Sequence, residues 1–578
     1  MNQTALDIVS KLETSEFEGR DIEVINAYMN WLACGTNHNR HLVLFNLAVK
    51  MSDIDAVKSE ALYREAVALK PDFIEAWFNL GSIIDKQGRK EHAIIIWKSI
   101  IDQPFFSKEK NLKLYTLVLN NLGRVSEEIK DFENAEIYLF KSLEANKDQP
   151  KVIHHYVHLR QKQCRWPTFP DLDFISKPEL IKSTSALALL SSIDEPGIQL
   201  AAGLRYTKEK INIHQHRLSP QKYHSHKKIK LGFLSGDLRM HAVSFLMVEL
   251  FEEIDKSKFE LYAYSWSKKD GSTVQKRIIE SCDQFIDISF IDDLTAANKI
   301  RDDEIDILFD LQGLTAGARP NILATKPAPI IINYLGFPGT SGSTYADYII
   351  ADKYVIPENM QPYYSETPIY LPIFQCSDNK REVGITKSKI DYNIPEESFV
   401  YASMNNNHKY TEDIFECWLR IIKATDKSIL WLLSDNDLSK RNMIAKAKEY
   451  NLEDRLFFTE RLIPTDYLAR YKVIDLFLDT YPFNGGTTVN DALYMGTPVL
   501  TLSGKTFASR MAGSLLKFNQ SAGWIAKNIK EYEKLAIKAR TKQLHKLKRG
   551  YNYNTYDYTR ALEDQLLKIY PAEFVSAT

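Results

Sequence analysis

The segment Asp479-Thr-Tyr-Pro-Phe-Asn-Gly-Gly-Thr-Thr-Val-Asn-Asp-Ala-Leu-Tyr-Met-Gly-Thr-Pro-Val-Leu-Thr501 constrains the fold of this chain more than any other. An apolar run, Leu476 to Leu478, leads into it. Asn484, Gly485 and Gly486 let the backbone turn tightly, and Thr487 and Thr488 open a helix predicted to reach about Met495. Gly496-Thr497-Pro498 stops that helix, and Val499 to Leu502 reads as the next buried strand. A helix start presents unpaired N–H groups and a partial positive charge, and threonine hydroxyls add donors, so the loop suits a phosphate. The alternative is an ordinary turn whose glycines only serve packing. Asp491, one turn further along the helix, is placed to reach a ribose or sugar hydroxyl and tips the reading toward a nucleotide.

The same alternation of strand and helix runs through the second half of the chain. Ile229 to Ser235, Phe259 to Ser265, Ile305 to Asp310 and Ile330 to Leu335 read as strands of one series. Phe399 to Ser403, Ser428 to Leu433, Arg455 to Phe458, Leu476 to Leu478 and Val499 to Leu502 form a second. Alternating elements of this kind give parallel, doubly wound sheets. Two such Rossmann-like units in tandem place a cleft between them, with strand ends and helix starts facing it. The glycine pattern of a dinucleotide fingerprint and the Walker A motif are both missing, so neither NAD nor a P-loop is suggested.

Residues 1 to about 165 read instead as helix after helix. Ala76-Trp77-Phe78-Asn79-Leu80-Gly81 begins one helix, and Ala93, Trp97 and Ile100 line the next until Pro104. Leu119, Leu122 and Gly123, followed by Ala135, Leu139 and Ser142, repeat the pattern. A looser copy has Phe45-Asn46-Leu47-Ala48 and then Tyr63, Ala66 and Pro71. Small residues where paired helices approach resemble tetratricopeptide repeats, a short superhelical array whose concave face commonly grips peptides. Extra residues around Phe105 to Leu112 make the spacing irregular. Residues 166–228 read as a helical connector ending in Ser219-Pro220 and the solvated run His224-Ser225-His226-Lys227-Lys228.

Composition bounds the partners. A net charge of −1 gives no electrostatic case for nucleic acid, and 44% hydrophobic with 26% charged residues is that of a soluble globular protein. Five cysteines, Cys34, Cys164, Cys282, Cys376 and Cys417, are scattered without CxxC pairs, which argues for reduced thiols and against structural zinc. The start, Met1-Asn-Gln-Thr-Ala-Leu-Asp7, has no leader pattern, and no apolar run is long enough to span a bilayer, so a cytoplasmic location is expected.

Four loops at strand ends hold residues able to carry chemistry. Gly236-Asp237-Leu-Arg-Met-His241 follows the first strand, and His241 is either a site residue or an ordinary polar side chain. Asp310, before Leu-Gln-Gly313, is either a site carboxylate or a turn cap. Leu335-Gly-Phe-Pro-Gly339-Thr340-Ser341-Gly342 is either a turn that its glycines merely permit or a loop whose backbone N–H groups face a substrate. Met404-Asn405-Asn406-Asn407-His408-Lys409 opens the second unit, and Lys409 would neutralise a diphosphate if the glycine loop shares the cleft. An Asp-x-Asp pair for magnesium is missing beside these loops, so fixed donors and Lys409 are expected to replace a metal.

Repeats followed by these loops closely resemble the protein O-linked N-acetylglucosamine transferases and the related Spindly family. The matching segments are Lys326-Pro-Ala-Pro-Ile330, Leu335 to Gly342, Ser428 to Leu433, Asp479-Thr480, Asn484 to Thr488 and Gly496 to Pro498. The resemblance implies an α-helical tetratricopeptide superhelix (1–165), a connector (166–228) and a GT-B fold of two Rossmann-like lobes (229–385 and 386–578). It also implies inverting, metal-independent transfer from UDP-N-acetylglucosamine to serine or threonine of protein acceptors gripped by the repeats, with no cofactor. By the same resemblance Lys409 binds the diphosphate, Thr487 and Thr488 the phosphate, Asp491 the ribose, and Arg470 lies beside the nucleotide. His241 matches an active-site histidine, and the proton's acceptor is left between His241, Asp310 and a donor phosphate oxygen. Tyr467, Gly486 and Asn406 depart from the animal pattern, which has histidines at the first two positions and a glutamine at the third. A tyrosine can still stack on a base. Transfer of fucose by a Spindly-like enzyme, another sugar nucleotide, and a repeat scaffold without catalysis are the alternatives.

Overall fold

The computed structural model describes residues 5–13, 20–34, 38–103, 106–211, 217–219, 226–541 and 554–570. Pro104, Phe105, Pro220, His224, Ser225 and the side chain of Cys34 lie outside them. Contacts divide the chain into two units, residues 1–159 with 171–176, and residues 160–170 with 177–578.

The first unit is a run of antiparallel helices, among them Arg40–Met51, Ala56–Leu69, Ile74–Lys86, Lys90–Ile101, Leu112–Glu128 and Phe132–Ala145. Asp55 and Asp131 cap two of them by accepting from Lys58 N and Asn134 N. The small residues sit where helices touch. A Cβ on Gly81 would lie 2.3 Å from Trp97 Nε1, so only glycine lets the indole lie against that backbone. Trp97 is fully buried and donates to Phe78 O at 3.1 Å. An indole of that size removes about 150–250 Å² from water, roughly 4–6 kcal/mol before entropy is counted. Leu139 takes the same place against Gly123 in the following pair.

The second unit holds two all-parallel sheets. Strands β1 (Ile229–Ser235), β2 (Phe259–Ser265), β3 (Gln284–Asp287), β4 (Ile307–Asp310), β5 (Ile330–Asn333), β6 (Tyr348–Ala351) and β7 (Thr367–Tyr370) form the first, in the order β3-β2-β1-β4-β5-β6-β7. The second contains β8 (Phe399–Ser403), β9 (Ser428–Leu433), β10 (Leu456–Thr459), β11 (Leu476–Leu478), β12 (Val499–Leu502) and β13 (Ile525–Ala526), in the order β10-β9-β8-β11-β12-β13. Both orders reverse direction once, between β1 and β4 and between β8 and β11. At such a reversal neighbouring loops diverge to opposite faces and leave a crevice at the strand C-termini. The sequence reading missed β3, β6, β7 and β13. Of these β3 and β7 are edge strands with partly exposed side chains, and β13 has two residues, so their apolar signal is faint.

The expected connector is not a free linker. Residues 160–170 and the helices Lys177–Ser183, Ala186–Leu190 and Pro196–Lys210 belong to the second unit. The final helix, Thr555–Ile569, also leaves the second lobe, where sequence had placed it. It returns to the first lobe: Tyr558 and Tyr334 share a hydroxyl bond of 2.8 Å, and Glu563 accepts from Asp255 N at 2.7 Å. No helix among the described residues is long and apolar enough to cross a membrane.

Candidate active site

The crevice between β8 and β11 brings together the residues singled out around Lys409 and the glycine loop. Helix Thr487–Tyr494 begins at Gly486, with the Thr488 hydroxyl tied to Asn405 Oδ1 at 2.7 Å. A Cβ on Gly485 would come within 2.2 Å of that hydroxyl, so the residue must be glycine. Asp479, buried at the end of β11, holds the loop from below. Its Oδ1 accepts from Gly485 N at 2.7 Å and its Oδ2 from the Thr501 hydroxyl at 2.7 Å. Lys409 closes the crevice. Its Nζ lies 3.6 Å from the Phe483 ring centroid and donates to Asn484 O at 3.0 Å. Burial lowers the Lys409 amine to about 8 against the opposing pull of the Asp479 charge, and burial raises Asp479 to about 6. An ammonium therefore stands beside a helix N-terminus, both suited to an incoming polyanion.

The other nucleotide candidates join the same cluster through tyrosines. Tyr467 and Tyr471 share a 2.8 Å hydroxyl bond, and Tyr471 OH donates to Thr488 O at 3.3 Å. The Arg470 guanidinium lies 4.4 Å over the Tyr467 ring, is fully buried, and donates to Glu460 O at 3.1 Å. Its Nε and Nη2 have no protein partner. Asn406 is oriented by Arg461, which donates to its Oδ1 at 2.7 Å. Asp491 is buried and paired with Arg381 from the segment 371–381 that follows β7, a partner that sequence did not reveal. Gly486 has an α-region backbone, and a Cβ there would meet nothing closer than Gln375 Oε1 at 3.4 Å. Neither space nor conformation demands glycine at that position.

The crevice between β1 and β4 holds the first-lobe candidates. His241 is the N-cap of helix Ala242–Glu253, and its Nδ1 accepts from Val243 N at 3.4 Å. Desolvation lowers its pKa, with Asp237 opposing and Arg239 adding to the shift. Nδ1 also lies 3.7 Å from Asp237 Oδ2, so the ring faces a carboxylate as well as the helix start. Asp310 is buried and its Oδ1 accepts from Gln312 N at 2.9 Å and Gly313 N at 3.0 Å, the geometry of a turn cap. Burial also raises its pKa. Gln312 joins the two loops, accepting from Gly236 N at 3.0 Å and donating to Asp237 Oδ2 at 3.1 Å. Gly339 and Thr340 lie inside the loop after β5. Glu366 holds Thr340 and Ser341, accepting from the Thr340 hydroxyl at 2.7 Å and from Ser341 N at 2.7 Å, and Gly339 O accepts from Asn333 Nδ2 at 3.2 Å.

The same segment, 371–381, contacts both lobes. Ser377 accepts from Asn490 on the threonine helix at 2.7 Å, and Asn379 N donates to Glu249 of the first lobe at 2.6 Å. Among the described residues no group of three or more His, Cys, Asp or Glu is placed to hold a metal. A surface cavity of about 660 Å³ is lined by Asp352, Tyr354, Ser514 and Lys568 and another of about 460 Å³ by Tyr481, Ser503 and Lys527; neither is lined by Lys409, Thr487 or His241.

The model of glycosyl transferase family 41 matches residues 202–383 and 375–550, which carry both crevices. The chain belongs to that family. It is 33% identical over 320 residues to the probable UDP-N-acetylglucosamine–peptide N-acetylglucosaminyltransferase SEC of Arabidopsis thaliana, covering 54% of this chain and 33% of that protein. The Caenorhabditis elegans UDP-N-acetylglucosamine–peptide N-acetylglucosaminyltransferase is 25% identical over 448 residues, 58% of this chain and 39% of that one. The chain thus spans only about a third of the length of these curated relatives. A mutant of the Thermobaculum terrenum O-GlcNAc transferase superposes with a TM-score of 0.61 at 21% identity, over 93% of this chain and 95% of that one. This likeness establishes the fold, a helical repeat array followed by GT-B.

Sequence missed Asp479, Gln312, Glu366 and Arg381 as site builders. Asp479 carried a usable signal, an acid at a strand's C-terminal end directly before a glycine loop. Arg381 carried none, because it reaches Asp491 from 110 residues away.

Proposed function

We propose that this chain is an inverting protein O-glycosyltransferase that moves N-acetylglucosamine from UDP-N-acetylglucosamine to serine or threonine hydroxyls. The observation that carries the reading is the Lys409 ammonium fixed beside the N-terminus of helix Thr487–Tyr494 at a strand-order reversal. Transfer breaks the bond between the anomeric carbon and the diphosphate oxygen while the acceptor hydroxyl attacks from the opposite face. Charge builds on the departing diphosphate, and Lys409 with the helix N–H groups is preorganised to stabilise it. These fixed donors support a reaction without a metal. His241, at the start of helix Ala242–Glu253, is placed for a hydrogen bond to sugar or acceptor, and the hydroxyl proton passes to a donor phosphate oxygen, where charge develops as the bond to the sugar breaks. The names of the Arabidopsis and Caenorhabditis relatives support the choice of donor and of a peptide acceptor. The repeat unit is the natural holder of that acceptor.

The test is a panel of sugar nucleotides offered with a protein acceptor in the presence of EDTA. UDP-N-acetylglucosamine should be preferred and turnover should persist, while Lys409→Ala abolishes UDP release with helicity retained. Preference for a guanosine sugar would move the chain to the fucose-transferring branch. Dependence on a divalent cation would overturn the metal-free step.

A further inference from the structure

The turn Ser191-Ser-Ile-Asp194-Glu195, which reads as plain connector, holds a carboxylate with an unusual set of partners. Asp194 accepts from the backbone N–H groups of Lys505 (2.8 Å) and Thr506 (3.0 Å), and from the hydroxyls of Thr506 (2.9 Å), Ser509 (2.6 Å) and Tyr481 (2.9 Å). Gly504 makes room for it: a Cβ there would sit 2.1 Å from Asp194 Oδ2. The loop after β12 is thus wrapped around an internal anion, much as such loops wrap bound anions.

Both arms of that contact lead to the Lys409 crevice. Tyr481 begins the segment that continues through Phe483 to Gly485 and Gly486. Ala508, between Thr506 and Ser509, accepts from Asn484 N at 3.0 Å, and Asn484 O is the carbonyl that receives Lys409 Nζ. On the other side, Trp166 Nε1 donates to Tyr410 O at 3.0 Å and so steadies the turn that carries Lys409.

We propose that Asp194 is a positioning residue for donor binding: its carboxylate holds Tyr481 and the 504–509 loop so that Asn484, Gly485 and Lys409 meet the diphosphate already in place. The proposal rests on the function proposed above and adds to it a residue from outside both lobes' strand ends.

Three variants in the full chain test it: Asp194→Asn, Asp194→Ala and, as control, Glu195→Gln, which breaks only an exposed pair with Lys505. Asp194→Asn turns amide hydrogens toward donors. It should speed hydrogen exchange at Asn484 and Gly485 and raise the donor KM about tenfold or more, with a smaller change in kcat. Asp194→Ala should regain donor affinity with added formate or acetate, a rescue that general loosening would not show. Glu195→Gln should match the wild type. Should Asp194→Asn not fold, Tyr481→Phe removes one arm and should raise KM by a smaller factor. Unchanged exchange at Asn484 and Gly485, or a raised KM without rescue by carboxylates, overturns the proposal. Failure of the wild type to use any sugar nucleotide would instead overturn the proposed function, and the exchange data alone would then decide the role of Asp194.

Discussion

Lys409 and Asp479 are a lysine and an aspartate that burial moves toward each other, to about 8 and about 6. Each favours the charged form of the other, so the pair titrates as a unit. The Lys409 shift is downward, so the ammonium needed for a diphosphate is lost as pH rises through its folded value. We therefore predict that kcat/KM for the donor declines above about pH 8, approaching tenfold per unit. Lys409→Arg, whose guanidinium stays charged, should remove that basic limb at some cost in absolute rate. A basic limb retained in Lys409→Arg would assign it elsewhere. The residues of this site divide by how far their partners lie along the chain. Gly485, Thr487 and Thr488 were legible because strand, loop and helix are contiguous. Asp194 was not, because its partners at Lys505 and Thr506 lie 311 and 312 residues away and nothing local marks it. His241 and Asp310 were legible as loop residues at strand ends. The partners that their side chains take, Val243 N for His241 and Gln312 N and Gly313 N for Asp310, depend on loop geometry that sequence leaves open.

The glycine loop and its helix behave as one element, and its two glycines are not equivalent. Gly485 is surrounded, with Thr488 Oγ1, Val489 and Asn405 all within 3.2 Å of an added Cβ. Gly486 meets only ordinary contacts from 3.4 Å outward. Gly485→Ala should displace Thr488 from Asn405 and weaken donor binding by about tenfold or more, in the range of a lost buried hydrogen bond plus overpacking. Gly486→Ala should bind donor within about twofold of wild type, since small substitutions without clash are usually near neutral. Fluorescence titration with UDP on both variants measures the contrast, and equal losses would contradict it. At this scale the central strands and the repeat helices were readable from apolar periodicity. Edge strands β3 and β7 and the two-residue β13 were not, because half-exposed or minimal strands carry too few apolar positions.

At the scale of the whole molecule, the candidate site spans two strand-order reversals joined by segment 371–381. The reversal between β8 and β11 gathers Lys409, Asp479 and the threonine helix; that between β1 and β4 gathers His241, Gln312 and Asp310. Periodicity announced two doubly wound sheets, but the strand order that creates the crevices is a property of pairing and had to be seen. The same is true of the final helix, which closes back on the first lobe through Tyr558 and Tyr334. If the second-sheet crevice binds a nucleoside diphosphate through Lys409 and the threonine helix, without a metal, calorimetric titration of the full chain with UDP in EDTA will show saturable binding. Lys409→Ala should weaken it by about tenfold or more, the loss of a charged hydrogen-bond partner. No detectable heat at millimolar UDP, or equal affinity in Lys409→Ala, would contradict it.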